Sequence, residues 1–396
     1  MLSLLHSHPS ISSEVLARAR QILKEIKKQI VPGNEYFYLE TNNQTAEIAK
    51  IEKFAASARK KYSHVYVFGI GGSALGAKSL LQACASEQDF VSIVDNLDPV
   101  ELANILHNKK LKQALFVVIS KSGGTLETLA QFFLIQKKLG KDWQKNIVFV
   151  TDPKKGFLRE LTTHNSQITT FSISSEIGGR FSVFTSASLL PAALGGVKIR
   201  QVLEGIKLAN EEVALKLATS LFATKKNVFV LMPYAKQLKN FTLWWSQLFA
   251  ESLGKTKKVG PTPFVALGPC DQHSLLQLLS DGPDDKFTIF LRVKKFAQDP
   301  FLPKKLSAEF SHIAGKKITD ILNAESQATA QALSECNRPN LTLELSNLSP
   351  QSIGALLQTF LLTTAILGKL YGISIFGQPG VERGKVLAKE ILKKGN

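Results

Sequence analysis

LFVVISKSGGTLET, residues Leu115 to Thr128, holds a strand, a turn and the start of a helix in one short run. Five apolar residues, Leu115 to Ile119, read as a buried strand. Ser120, Lys121, Ser122, Gly123, Gly124 and Thr125 then separate it from a helical pattern that begins at Leu126. A helix N-terminus leaves backbone N–H groups without partners, glycines let the main chain approach a ligand, and hydroxyls add donors, so the turn reads as a phosphate seat. The same residues also read as an ordinary turn closed by Thr125 as the helix cap. The spacing is not that of a nucleotide P-loop, so any phosphate held here belongs to something smaller.

The strand-then-helix order repeats on both sides of this run. Upstream, His64 to Phe68 enters the loop Gly69 to Gly76 before a helical Ala77 to Cys84, and Phe90 to Val94 ends at Asp95-Asn96-Leu97-Asp98-Pro99 before a helix from Val100 to Asn108. Downstream, the helix Leu126 to Lys138 leads to a strand, Asn146 to Val150, that ends in Thr151-Asp152-Pro153. Continuous apolar strands alternating with helices imply a parallel sheet covered on both faces, with ligands at the carboxyl ends of the strands. Ser73 and the 120–125 turn share that edge. Beyond a small-residue region, Gly178 to Gly196, the alternation restarts with helices within 199–223, a strand Asn227 to Met232, a helix from Leu238 to Leu253, and strands near Pro263 to Leu267 and Phe287 to Val293. Two α/β units follow, meeting near residue 196. Ahead of them, Ser13 to Ile30 reads as an amphipathic helix stopped by Pro32-Gly33, and a second helix spans about Thr45 to Lys60.

Composition limits the partners. With 396 residues, 44% apolar and 20% charged, the chain is of ordinary globular make-up and long enough for two domains. A net charge of +17 suits anionic ligands. The lysines are scattered in short groups such as Lys27-Lys28, Lys60-Lys61 and Lys109-Lys110, no basic stretch is interleaved with aromatics, and no zinc-finger spacing occurs, which argues against nucleic acid and for small phosphorylated metabolites. Cys84, Cys270 and Cys336 are far apart and odd in number, as in a reducing, cytoplasmic setting, and suggest no metal site. The N-terminal MLSLLHSHPSISS lacks the pattern of a secretory signal. The apolar region Ile353 to Phe376 is interrupted by Gln358, threonines, Lys369 and glycines and reads as a buried helix, so no membrane association is expected.

Gly69-x-Gly71-x-x-Ala74 follows a strand and is followed by an acidic residue, Asp95, at the end of the next one. That satisfies a relaxed dinucleotide fingerprint. A second Ser/Thr/Gly turn beside it suits a phosphomonoester better than a pyrophosphate. On these residues alone both readings stand.

Seven pieces in order resemble the glucose-6-phosphate isomerase family, whose members have a two-domain sugar-isomerase (SIS) fold. They are GIGGSALG at 69–76, VDNLDP at 94–99, SKSGGTLET at 120–128, GGRFSVFTSASLLP at 178–191, ESLGK at 251–255, DQH at 271–273 and GVERGK at 380–385. The resemblance implies two SIS-type, flavodoxin-like α/β domains, each a mainly parallel sheet flanked by helices, with helical terminal segments. The expected division is 1–44 as a helical segment on the second domain, 45–195 as the first SIS domain, 196–376 as the second, and 377–396 as a C-terminal segment and helix.

The activity implied is the interconversion of glucose 6-phosphate and fructose 6-phosphate in glycolysis and gluconeogenesis, with no cofactor and no metal. By resemblance, Ser73, Ser120, Ser122 and Thr125 hold the substrate phosphate, helped by Gly72, Gly179 and the backbone around Lys121. Relatives often carry Thr at the position of Ser122 and bulkier residues at those of Gly123 and Gly124. Glu251, expected to be partly buried against Trp244, Trp245 and Phe249, is the base that moves a proton between C1 and C2. Arg180 stabilises the cis-enediolate. His273 and Lys385 open the sugar ring, Gln247 and Gln378 contact the substrate, and Glu127 supports them. The family's histidine comes from the neighbouring subunit, which implies a homodimer. Two further readings remain: an isomerase that also takes mannose 6-phosphate, and a SIS sensor without catalysis, which need not keep Glu251, Arg180, His273 and Lys385 together.

Overall fold

The computed structural model describes residues 1–8, 12–40, 45–86 and 88–394. Residues 9–11 of the N-terminal stretch and 41–44 at the expected first domain boundary lie outside them. Among the described residues the chain builds two five-stranded sheets.

The first sheet contains β2 (His64–Phe68), β3 (Val91–Val94), β4 (Ala114–Ile119), β5 (Ile147–Thr151) and β6 (Thr169–Ser172); the second contains β1 (Leu2–His8), β7 (Val228–Pro233), β8 (Thr262–Val265), β9 (Lys286–Val293) and β10 (Asn340–Leu345). The orders are β3-β2-β4-β5-β6 and β1-β10-β9-β7-β8. Every pairing is parallel except that of β1 with β10. The helices are α1 (Ser13–Lys28), α2 (Thr45–Lys61), α3 (Leu75–Cys84), α4 (Pro99–His107), α5 (Leu126–Leu139), α6 (Phe157–Thr163), α7 (Ser186–Leu194), α8 (Ile199–Lys207), α9 (Glu211–Ala223), α10 (Lys239–Leu253), α11 (Gln272–Asp281), α12 (Ile318–Glu335), α13 (Pro350–Leu370) and α14 (Glu382–Lys394). Their starts carry local signals. Asp98 caps α4 by accepting from the Val100 and Glu101 N–H groups, with Pro99 in the first turn, and Ser349 caps α13 ahead of Pro350.

The period-two alternation of the strands sorts their side chains into two cores. Val65 and Val67 of β2, Leu115, Val117 and Ile119 of β4, and Val148 and Val150 of β5 join a central core that also takes in Phe229 and Leu231 of β7 and most of α13. Tyr66, Phe68, Phe116, Val118 and Phe149 point the other way, into an outer core under α4 and α5. A smaller outer core lies on the second sheet around Tyr234, Phe290 and Leu333. The two sheets therefore share one interior. At the centre, α13 is long and apolar enough to cross a membrane, but 94% of its apolar stretch is buried inside the protein.

The N-terminal segment, expected to be helical, begins with a strand. Leu2 and Leu4 pair with Leu345 and Leu343, and Leu2 is buried, so the alternation of a short edge strand was hidden in a sequence with no turn before it. The expected apolar helix 353–376 ends at Leu370, where Gly372 adopts φ +70° and the Ile373 N–H donates back to the Gly368 carbonyl.

Candidate active site

The run from β4 into α5 gathers three hydroxyls in an open ring centred on Ser120. Ser120 Oγ lies 2.8 Å from Thr125 Oγ1 and 3.5 Å from Ser122 Oγ, while the Thr125 N–H donates to Ser120 Oγ at 3.4 Å and the Gly124 N–H to Ser122 Oγ at 3.3 Å. Thr125 occupies the N-cap position of α5 but its side chain makes no capping bond, so the plain helix-cap reading of this turn does not hold. Gly123 takes φ +67° and passes close to the Gly156–Phe157 backbone, which fixes the turn from below. The Lys121 side chain turns away from these hydroxyls. Its ammonium donates to the Ser175 and Ile177 carbonyls at 2.7 and 2.9 Å, and burial pushes its pKa below the ordinary lysine value, opposed by Asp152.

The glycine loop between β2 and α3 lies against this turn, because β2 and β4 are neighbours. A methyl group on Gly69 would touch both Ser73 and Ile119, so the two turns are packed at one sheet edge. No side-chain partner engages Ser73 Oγ among the described residues. On its other side the loop is wedged against two more elements. A methyl on Gly71, where φ is +56°, would meet Gln247 Nε2 at 2.9 Å, and one on Gly72 would meet the Gly179 carbonyl at 2.2 Å. Ser182 Oγ ties both sides by donating to the Gly72 and Gly179 carbonyls. Asp95 does not project as a lone carboxylate, since Lys78 Nζ lies 2.7 Å from its Oδ2. A dinucleotide site would need that carboxylate for a ribose hydroxyl, and this removes the support for such a reading.

Arg180 is 4% exposed and uses all five of its N–H groups. Nε donates to Ser252 Oγ at 2.9 Å, Nη1 to Glu251 Oε2 at 3.1 Å and to Gln378 Oε1 at 2.7 Å, and Nη2 to the carbonyls of Ile375 and Gly377. Its guanidinium carbon also lies 4.7 Å from the centre of the Phe181 ring. Burial pushes its pKa below the usual arginine value, with the Glu251 charge and hydrogen bond opposing. The other Glu251 oxygen accepts from Gln247 Nε2 at 2.9 Å, one helical turn earlier on α10. Glu251 is thus fixed on both oxygens, with a quarter of its side chain still open to solvent.

The structure brings together Gly72, Ser73, Gly179, Arg180, Gln247, Glu251 and Gln378, with the ring of Ser120, Ser122 and Thr125 on the adjacent strand end. Glu127 sits in the first turn of α5. Two expected residues stand apart from the network in this chain. His273, in the first turn of α11, is exposed and shares no hydrogen bond with Arg180 or Glu251. Lys385 lies on α14, which buries none of its residues, and pairs with Glu382 at 2.8 Å. Sequence reasoning missed Ser252, Lys255 and Tyr38. Ser252 and Lys255 lie inside the quoted piece ESLGK, where the i, i+4 spacing of Lys255 from Glu251 offered a signal and the position of Ser252 next to Glu251 did not; Tyr38, stacked on Phe181 at 4.3 Å, offered none.

Parallel sheets with hydroxyl-lined turns at their carboxyl edge, and beside them a half-buried carboxylate paired with a buried guanidinium, define an α/β protein of the sugar-phosphate isomerase class. The phosphoglucose isomerase family model matches residues 17–396. The chain belongs to that family. It is 37% identical over 375 residues to the glucose-6-phosphate isomerase of Carboxydothermus hydrogenoformans, covering 86% of this chain and 81% of that one. It is 34% identical over 402 residues to a Thermus thermophilus enzyme of the same name, covering 96% of each. Among solved structures, a glucose-6-phosphate isomerase from Chlamydia trachomatis superposes with a TM-score of 0.81 at 25% identity, over 96% of this chain and 84% of that one. A hypothetical protein from Thermus thermophilus superposes at 0.91 and 33% identity, over 99% of this chain and all of that one.

Proposed function

We propose that the chain interconverts glucose 6-phosphate and fructose 6-phosphate, as the named relatives do, in glycolysis and gluconeogenesis. The observation that carries this is Glu251, held on both oxygens by Arg180 and Gln247 yet still reachable, one loop away from a ring of hydroxyls. The Ser120, Ser122 and Thr125 hydroxyls, Ser73 and the adjacent main chain hold the phosphate, since neutral donors at a strand-to-helix turn suit a dianion. Glu251 takes the proton from one carbon and returns it to the other, as one positioned carboxylate can do in both directions. Arg180 stabilises the enediolate by its charge. All five of its N–H groups have protein partners, so a substrate oxygen bonds to it only by displacing one; Ser252 and Gln378 are the two neutral side chains among them, and Gln378 shares Nη1 with Glu251.

Ring opening in this reading uses His273 and Lys385. His273, exposed in the first turn of α11 and without a hydrogen bond to Glu251 of its own chain, serves the site of a second copy in this reading, in a homodimer. Glu127 supports the site from α5. The two SIS units, 45–195 and 196–376, carry the phosphate turns and the base respectively. The three unpaired cysteines agree with a cytoplasmic setting. A coupled assay with fructose 6-phosphate and mannose 6-phosphate side by side tests the reading. Turnover of fructose 6-phosphate is expected, and its absence in folded protein would refute it.

A further inference from the structure

We propose that Lys255 is a positioning residue of this site: with Arg180, its ammonium clamps the carbonyls of residues 375–377 and so sets Gln378 and the segment that leads to Lys385. The proposal rests on the isomerase reading above and adds to it a residue that makes no contact with the reacting carbons.

The segment leaves α13 through a sharp reversal. The Ile373 N–H donates to the Gly368 carbonyl, and Ile375 lies so close to Gly368 that a methyl group there would meet its Cγ2 at 2.2 Å. From this anchor the chain crosses the aromatic cluster, with the Phe376 ring 5.0 Å from Tyr36 and 5.7 Å from Phe181. Its carbonyls then face two cations. Arg180 Nη2 donates to Ile375 and Gly377, and Lys255 Nζ donates to Phe376 at 3.2 Å and also to Gly377. The Gly377 carbonyl is shared by both. Gly377 itself takes φ +69°, turning the chain so that the next residue, Gln378, offers its Oε1 to Arg180.

Lys255 is aimed by the end of its own helix. The Gly254 N–H closes α10 on the Ala250 carbonyl, and the Lys255 N–H bonds the Leu253 carbonyl, which puts the side chain four residues beyond Glu251 toward the crossing segment. Burial and the Arg180 charge push its pKa below the ordinary lysine value, with Glu251 opposing, so the three groups share one field. Arg180 is already saturated. Without Lys255 the Phe376 carbonyl loses its charged donor and the Gly377 carbonyl keeps one donor instead of two, so the segment carrying Gln378 is held more weakly.

The test is steady-state kinetics with fructose 6-phosphate on the full chain, for wild type, Lys255→Met and Lys255→Arg. Misplacement of a positioned group lowers turnover, so Lys255→Met is expected to lose about tenfold or more in kcat with KM changed less than about twofold. Lys255→Arg, whose guanidinium also reaches two carbonyls, is expected to recover most of the loss. Limited proteolysis should cut Lys255→Met faster within 373–381. Wild-type turnover by Lys255→Met overturns the proposal, as does a rise in KM with kcat unchanged, which marks a direct substrate contact, or a Lys255→Arg variant that folds but stays as impaired as Lys255→Met. If the wild type itself lacks isomerase activity, the functional reading fails, and the proteolysis of the variants still tests the clamp.

Discussion

Gly72 and Gly179 touch across the seam between the glycine loop and the turn that carries Arg180. A methyl group on Gly72 would lie 2.2 Å from the Gly179 carbonyl carbon and oxygen and 2.8 Å from the Arg180 nitrogen. The obstacle is backbone, which cannot rotate away as a side chain can. Gly72→Ala must therefore push the loop and the Arg180 turn apart, an overpacking that costs about 1–3 kcal/mol of stability. Because Arg180 moves with it, kcat should fall by at least about tenfold. Thermal denaturation and a coupled assay check both; a variant matching wild type in both would show that the seam is looser than the geometry states.

Glu251→Gln removes the proton-accepting oxygen and keeps the size of the side chain. Turnover should fall at least about a hundredfold, the usual scale for a general base, while sugar-phosphate binding is largely kept. The fold should survive because Arg180 retains its four other hydrogen bonds. Near-normal kcat would eliminate Glu251 as the base. Binding of fructose 6-phosphate to the variant, followed by calorimetry, separates a lost base from a lost site.

The hydroxyl ring gives the opposite signature. Ser120→Ala with Thr125→Ala deletes two hydroxyls that bond each other at 2.8 Å, and so leaves no unpaired partner in that pair. KM for fructose 6-phosphate should rise by about tenfold or more, since hydrogen bonds to a charged group are worth about 1.5–3 kcal/mol each. An unchanged KM would remove the phosphate seat from this turn.

Much of this arrangement was legible in the sequence, and the limits have physical causes. Strands β2, β4 and β5 are buried on both faces and so stand out as apolar runs bounded by turn residues. Strand β6, TTFS, lies at a sheet edge and is short, with three polar residues of four, whereas β10, NLTLEL, does carry the alternation of a strand, and sequence reasoning missed it although the signal was there. The site residues could be picked out by the seven motifs, but their mutual geometry could not. Nothing in the sequence says that Arg180 spends its N–H groups on Ser252, Glu251, Gln378 and two carbonyls, or that the Lys121 ammonium turns away to Ser175 and Ile177. Those bonds join residues far apart in the chain, and only the packing of α10, α13 and the 178–184 turn brings them together.

His64, at the start of β2, supplies a pH test of the first sheet. Its Nε2 lies 3.0 Å from Ser92 Oγ on β3 and its ring packs 4.5 Å from Tyr66. Burial lowers its pKa below 6.5, partly offset by a backbone hydrogen bond at Asp89. The folded state thus prefers the neutral ring, and between the lowered pKa and 6.5 the unfolded chain binds more protons. This contribution is fully present above 6.5 and is lost as pH falls through the folded value. Denaturant midpoints measured at about pH 7.5 and about pH 5 should drop more for wild type than for His64→Gln. Equal drops would show that His64 is not the group responsible.

The placement of His273 can be decided by mixing two inactive variants. If each site combines Glu251 of one chain with His273 of the other, a heterodimer of Glu251→Gln and His273→Ala chains has one site with both residues intact and one with neither. Random reassembly yields about half heterodimers, so activity should return to about a quarter of wild type. If both residues came from the same chain, every site in the mixture would lack one of them and activity would stay at the level of the single variants. The same mixing with Lys385→Ala in place of His273→Ala should give no recovery if α14 serves its own chain, because each site would then lack either its Glu251 carboxylate or its Lys385. Recovery in that second mixture would instead put α14 across the interface, where its exposed Val386, Leu387, Ile391 and Leu392 would find cover.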